Sequence, residues 1–216
     1  VVTVGTAANA DYRIADVHVD RALTPSFSLE GVRLTVPLPG AHQVQNAALA
    51  AAVAHRAFEL SWDEIRDDLQ SAVPARWRME IAESTEGVIV LNDSYNANPA
   101  SVEAALRALA HLHTTGTRIA VLGDMRELGA HADDAHAGIG ALAGELGIDV
   151  VIGVGPGGAQ IVDAVDEPAT ALRAADAATA RALVAEMVKP GDAVLVKASR
   201  ALGLQVVAEA LMEDAP

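Results

Sequence analysis

From residue 78 onward the chain alternates short β-branched and aliphatic runs with Ala-rich stretches, and few folds accommodate that rhythm. The pattern predicts strands at 78–83, 88–93, 117–122, 149–154, 171–174 and 193–197, and helices at 99–112, 132–146, 157–165, 177–188 and 201–213. Strands such as Asp149-Val150-Val151-Ile152 carry unbroken apolar runs, so both faces of the sheet should be covered. The expected fold class is α/β, a Rossmann-like, doubly wound, mostly parallel sheet. Hydrophobic residues make up 51% of the chain and aromatic residues only 3%, which leaves the core to Ala, Val, Leu and Ile.

The first third has a different character. Val1 to Val4, Tyr12 to Val19 and Phe27 to Leu29 read as strands, and Glu30-Gly31 before Val32 to Val36 reads as a hairpin. Pro37 and Pro39 then suit a strand at a sheet edge. An Ala-rich helix should follow as far as Phe58, and Ser61-Trp62-Asp63-Glu64 is a capping box for a second helix ending near Leu69. The break at Ser71-Ala72-Val73-Pro74 is a domain boundary, giving domains of 1–74 and 75–216.

Several function classes are excluded or made costly. A net charge of −14 argues against nucleic-acid backbones and anionic membrane surfaces, so a bound nucleotide needs local Arg, Lys, backbone amides or Mg²⁺. The absence of cysteine removes disulfides, thiolate nucleophiles and Cys-based zinc sites, and fits a cytoplasmic protein. No apolar run approaches the ~18 residues of a spanning helix, and no signal-peptide pattern opens the chain. The chain starts without methionine inside a strand-like pattern, as expected of a fragment of something longer. No G-x-x-x-x-G-K-[ST] occurs in it, so a phosphate cradle of that kind lies elsewhere.

The polar residues gather after predicted strands, where open α/β sheets bind their ligands. Six of the seven residues from Asn92 to Asn98 carry hydrogen-bonding side chains. Asn98 as N-cap and Pro99 at the first helical position account for the end of this stretch, but not for Asp93, Ser94, Tyr95 and Asn96. A carboxylate at Asp93 is placed to accept ribose hydroxyls. Arg78, in Arg76-Trp77-Arg78, suits bidentate phosphate contact, or else a surface pair with Glu80 or Asp93. Lys197, Ser199 and Arg200 follow another strand and form an anion site suited to a carboxylate, or a capped helix with two solvated cations.

Three further features carry less. The loop from Gly123 to Gly129 either lines the same crevice or is a solvated turn. His131 and His136 are five residues apart, off a common helical face, which disfavours a metal pair. Gly153-Val154-Gly155-Pro156-Gly157-Gly158 matches G-x-G-x-x-G, with Asp176 further on, but it follows the fourth strand of the domain rather than opening it, and Pro156 lacks an N–H. A tight turn needing positive φ explains it better.

Taken together these residues resemble the Mur ligases of peptidoglycan synthesis, in particular the member that adds D-alanyl-D-alanine to UDP-N-acetylmuramoyl-tripeptide. The resemblance covers essentially the whole chain. Its most specific part is Asn92-Asp93-Ser94-Tyr95-Asn96-Ala97-Asn98-Pro99, supported by Gly123-Asp124-Met125, Glu127-Leu128-Gly129, His136, Gly191-Asp192 and Lys197-x-Ser199-Arg200. Gly40-x-His42 with Asn46 is similar to a segment of the family's central ATPase domain, and Arg78-x-Glu80 to the start of its C-terminal domain.

The resemblance implies that residues 1–74 end the central ATP-binding domain and 75–216 form the C-terminal domain. The P-loop and the Mg²⁺ ligands would lie upstream, and the fragment alone would be inactive. His42 and Asn46 would serve ATP, with Asn46 at the adenine. Arg78 would contact the phosphates and Asp93 the ribose. Tyr95, Asn96, Asn98, Lys197, Ser199 and Arg200 would lie towards the dipeptide. A cytoplasmic monomer is implied, with UDP-N-acetylmuramoyl-tripeptide and D-alanyl-D-alanine as its partners. Closure of the C-terminal domain would bring Arg78 and Asp93 onto ATP. Gln43 stands where the family usually has Asn, and Ala198 where it usually has Gly. The competing readings are a sibling ligase of the Mur or polyglutamate type, and a stand-alone dinucleotide-binding module built on Gly153 to Gly158.

Overall fold

Glu30 and Gly31 both adopt positive φ, 50° and 80°, the backbone that a tight two-residue hairpin requires. They join two strands of a four-stranded sheet that runs in order β1 (Val4–Gly5), β2 (Tyr12–Val19), β3 (Pro25–Leu29) and β4 (Val32–Thr35). β1 and β2 pair in parallel and the remaining pairs are antiparallel. The expected strand at the chain start shrinks to β1. β4 lies at the edge, where the Pro37 and Pro39 that follow cost no ladder bonds. Helices α1 (Gln43–Phe58) and α2 (Trp62–Gln70) bury Val44, Ala47, Ala48, Ala51, Ala52 and Ile65 against Phe27, Leu29 and Leu34. Ser61 and Glu64 form the expected capping box of α2.

The computed structural model describes residues 1–213 and divides into two compact units, Val1–Pro74 and Ala75–Pro216. The second unit holds β5 (Glu80–Glu83), β6 (Ile89–Asp93), α3 (Pro99–His111), β7 (Arg118–Gly123), α4 (Ala132–Glu145), β8 (Val150–Val154), α5 (Gly155–Asp163), β9 (Thr170–Ala174), α6 (Ala177–Met187), β10 (Ala193–Lys197) and α7 (Gln205–Met212). Its sheet order is β5-β6-β10-β7-β8-β9, parallel throughout except at β5. The doubly wound, mostly parallel sheet expected from the alternation is therefore present. Val90, Val121, Ile152, Val194 and Val196 face α6 and α7, while α3, α4 and α5 pack together elsewhere on the sheet. Among the described residues no helix is long and apolar enough to cross a membrane.

Two helix boundaries depart from the sequence expectation. The helix expected at 157–165 begins directly after its strand, at Gly155. The helix expected at 201–213 is broken: Arg200–Leu202 form a 3₁₀ turn, the chain reverses through left-handed Gly203, and α7 starts at Gln205. The unbroken apolar periodicity conceals this because Leu204 remains fully buried across the break.

Candidate functional site

β6 and β10 are parallel neighbours in register, so Asp93 and Lys197 end side by side at the carboxyl edge of the sheet. The helices after these two strands diverge. α3 packs with β10, β7 and α4, whereas α7 packs with β6, β10 and α6. Such a divergence is a topological switch point, and it opens a crevice above the strand ends.

The loop after β6 is built from short polar links. Ser94, 1% exposed, donates to Asn92 Oδ1 at 2.6 Å, so its hydroxyl serves the loop itself. Asn98 Oδ1 accepts the Ser101 N–H at 2.9 Å while Ser101 Oγ accepts the Asn98 N–H at 3.0 Å, and Pro99 opens the helix. Tyr95, Asn96 and Asn98 are left exposed at the mouth of the crevice. Together with Ala97, Arg126, Glu127, Leu128, Ser199 and Arg200 they line a cleft of about 460 Å³.

The segment before β5 is wrapped onto the same loop. Trp77 and Met79 both have positive φ, 60° and 52°, which is costly for residues other than glycine. Each is fastened to the loop: the Trp77 carbonyl accepts the Tyr95 N–H at 3.1 Å, and the Met79 N–H donates to Asp93 Oδ1 at 3.1 Å. Arg78 lies between these anchors and is thrust outward over the Tyr95 ring, 4.2 Å from its centre. The Trp77 indole N–H donates to Glu209 on α7 at 3.0 Å, and Arg76 pairs with the same carboxylate. Arg200 lies 5.3 Å from the centre of the Trp77 ring.

Lys197, 2% exposed, points inward. Its ammonium lies 2.9 Å from Asp93 Oδ2 and also donates to the carbonyls of Asn96 and Asp93. Burial pushes this ammonium below its ordinary value of 10.5; the Asp93 carboxylate resists the fall and Arg78 adds to it. Ser199 Oγ, by contrast, is buried and has no hydrogen-bond partner among the described residues, although the residue borders the cleft. Ala198 is fully buried without a left-handed backbone, so the residue before Ser199 does not require glycine.

The loop from Gly123 to Gly129 divides its work. Arg126, Glu127 and Leu128 line the cleft, the first of the two readings that the glycine-framed loop allowed, although no individual role was assigned to them from the sequence. Asp124 turns the other way and accepts the N–H groups of Gly157 and Gly158 at 2.6 and 3.2 Å. His136 is buried and accepts the Met125 N–H at 2.9 Å through Nε2, which leaves Nδ1–H for the Ala132 carbonyl.

These contacts answer the dinucleotide alternative. The amides that a pyrophosphate needs are filled by Asp124. Gly153 and Gly158 allow α5 to press on β8, since a Cβ on Gly153 would lie 1.9 Å from the Gly158 carbonyl oxygen. Asp176 caps α6 through the Thr179 N–H rather than reaching towards the loop.

His42 and Asn46 belong to the first unit. His42 stands at the N-terminus of α1 with its ring over Gly40, where a Cβ would come within 2.7 Å of it. Asn46 donates to Gln43 Oε1 at 3.1 Å, so the residue that departs from the family pattern orients the one that follows it. Among the described residues no group of three or more His, Asp or Glu is placed to hold a metal.

The family model "Mur ligase, glutamate ligase domain" matches residues 77–200, more than half of the chain. The chain belongs to the Mur ligase family. It is 39% identical, over 99% of its length, to the UDP-N-acetylmuramoyl-tripeptide--D-alanyl-D-alanine ligase of Mycobacterium tuberculosis (strain CDC 1551 / Oshkosh), of which it covers 47%. Among solved structures it is similar to MurF from Acinetobacter baumannii, with a TM-score of 0.83 and 25% identity, covering 96% of this chain and 46% of that one. MurF ligase from Thermotoga maritima in complex with ADP superposes with a TM-score of 0.77 at 25% identity, covering 99% of this chain and 48% of that one. The chain thus spans about half the length of the curated Mur ligases it matches.

Proposed function

We propose that this chain is the C-terminal half of an ATP-dependent ligase that joins D-alanyl-D-alanine to UDP-N-acetylmuramoyl-tripeptide through an acyl phosphate. Residues 1–74 then end its central ATP-binding domain and 75–216 form its C-terminal domain. The observation that carries the reading is the folding of Asn92 to Pro99 at the switch point, with Arg78 and Asp93 on one side and an open cleft on the other. The relatives named above support the substrates.

The cleft suits a zwitterion. Arg126 and Arg200 offer guanidinium groups for a carboxylate, and the Glu127 carboxylate with the side-chain oxygens of Asn96 and Asn98 offers acceptors for an ammonium. The buried Ser199 hydroxyl has no hydrogen-bond partner among the described residues, which suits it to bond a ligand. On the nucleotide side, the proposed roles are Arg78 for the ATP phosphates and Asp93 for the ribose, with Asn46 for the adenine and His42 as a further ATP-binding residue. The chemistry is phosphoryl transfer to a carboxylate and attack of the dipeptide amine on the acyl phosphate. Both steps need stabilised charge and excluded water rather than a nucleophilic side chain. With no P-loop sequence of its own, the chain turns over only when joined to its upstream half.

The test is ADP release by the rejoined protein, expected only when ATP, the UDP-linked tripeptide and D-alanyl-D-alanine are all present. Release supported instead by a single amino acid or glutamate would move the chain to a sibling ligase. Full activity in folded Arg78→Ala or Asp93→Ala protein would overturn the site assignment.

A further inference from the structure

We propose that Lys197 is a positioning residue that ties the nucleotide side of the site to the dipeptide side, and is a ligand of neither substrate. For the identity of those two substrates the inference rests on the ligase reading; for the bridge itself it rests on geometry alone.

An ammonium group has three hydrogens to donate. At Lys197 three acceptors surround it: Asp93 Oδ2 at 2.9 Å, the Asn96 carbonyl and the Asp93 carbonyl. With the side chain 2% exposed, no hydrogen is left for an incoming carboxylate and no path leads to one. Ser199, two residues on, shows the opposite arrangement, a buried hydroxyl at the cleft without a hydrogen-bond partner among the described residues. Of the two strand-end residues, Ser199 is built to meet a ligand and Lys197 to hold the walls.

The walls it holds belong to different ligands. Asp93 carries Lys197 on one carboxylate oxygen and the Met79 N–H on the other, next to Arg78. Asn96, held by its carbonyl, lies between Tyr95 and Ala97 on the cleft wall. The contact also spans 101 residues of sequence, so it fastens the end of β10 to a loop that β6 alone leaves exposed. Movement of Asp93 on engaging a ribose is thereby transmitted to the cleft through one cation.

The experiment uses Lys197→Met, Ser199→Ala and the double variant Asp93→Asn/Lys197→Met in the rejoined ligase. KM and kcat are read separately for ATP and for D-alanyl-D-alanine. Lys197→Met is expected to lower kcat/KM for both substrates, by roughly 10²-fold, whereas Ser199→Ala affects the dipeptide alone. The double variant, which leaves no unpaired buried charge, is expected to fold yet still to bind the dipeptide poorly, because the Asn96 carbonyl has lost its donor. A Lys197→Met effect confined to the dipeptide would make Lys197 a ligand, and a normal dipeptide KM in the double variant would reduce it to a structural ion pair; either result overturns the proposal. Backbone amide shifts of this chain by NMR separate the bridge from the ligase reading. In the double variant, and in Lys197→Met where it folds, the Met79 and Tyr95–Ala97 amides should move together whether or not the rejoined protein is a ligase. Unmoved Tyr95–Ala97 amides would overturn the bridge itself.

Discussion

The guanidinium carbon of Arg78 lies 4.2 Å from the centre of the Tyr95 ring, so the proposed phosphate ligand rests on a residue of the loop that lines the dipeptide cleft. Tyr95 is 37% exposed, which places the pair in the weaker range of cation–π contacts, about 0.5–1 kcal/mol. Tyr95→Leu in the rejoined ligase should raise the KM for ATP about two- to fivefold, and Tyr95→Phe, which keeps the ring face, should leave it unchanged. Initial-rate measurements at saturating dipeptide check this.

Asp124 stands where a phosphate would sit in a dinucleotide-binding domain, accepting two amide hydrogens from the first turn of α5. Asp124→Asn keeps the shape but loses the charge, and should destabilise the second unit by about 1–2 kcal/mol. The urea midpoint should fall at unchanged m. Calorimetric titration of the unaltered chain with NAD should show no binding, since its amides are already satisfied.

Asn98 both caps α3 and borders the cleft, and two substitutions separate those roles. Asn98→Ala should cost about 1 kcal/mol of stability through loss of the cap. Asn98→Asp preserves the cap, so its melting temperature should match the original. It places a second carboxylate beside Glu127, however, and should raise the KM for D-alanyl-D-alanine by repelling the dipeptide carboxylate.

The chain contains two lysines, exposed Lys189 and buried Lys197, so each can be followed by NMR of labelled lysine side chains. Burial holds Lys197 below 10.5 when folded, and its midpoint in the folded chain should lie below the one it shows once the chain is unfolded. Between that lowered midpoint and the unfolded value near 10.5, the unfolded chain keeps a proton that the folded chain has released. Stability contributed by this group therefore rises with pH across that window. A folded Lys197 midpoint above 10.5 would contradict the assigned cause.

Much of the site was legible in the residues. Asp93, Tyr95, Asn96, Asn98, Ser199 and Arg200 were each found because polar side chains follow apolar strands, and the structure gathers all of them at one edge of one sheet. Less legible was the direction of each side chain. Lys197 and Ser199 are two residues apart, yet one turns to Asp93 and the other borders the cleft. Arg126 and Glu127 were left undecided, because a charged loop between glycines looks the same whether it lines a cleft or faces water.

The sequence by itself determined the strands, most helices and their caps, because these depend on residues within one turn or one pleat of each other. Ser61 with Glu64, and Asn98 with Pro99 and Ser101, carry the chemistry of their helix starts locally. Tertiary structure alone decided which charges meet. Asp124 finds its amides 33 residues away and Lys197 finds its carboxylate 104 residues away, since strand order brings β10 between β6 and β7. Once buried there, a charge cannot remain unpaired, and the partner that the sheet presents to it settles whether it serves the fold or the ligand.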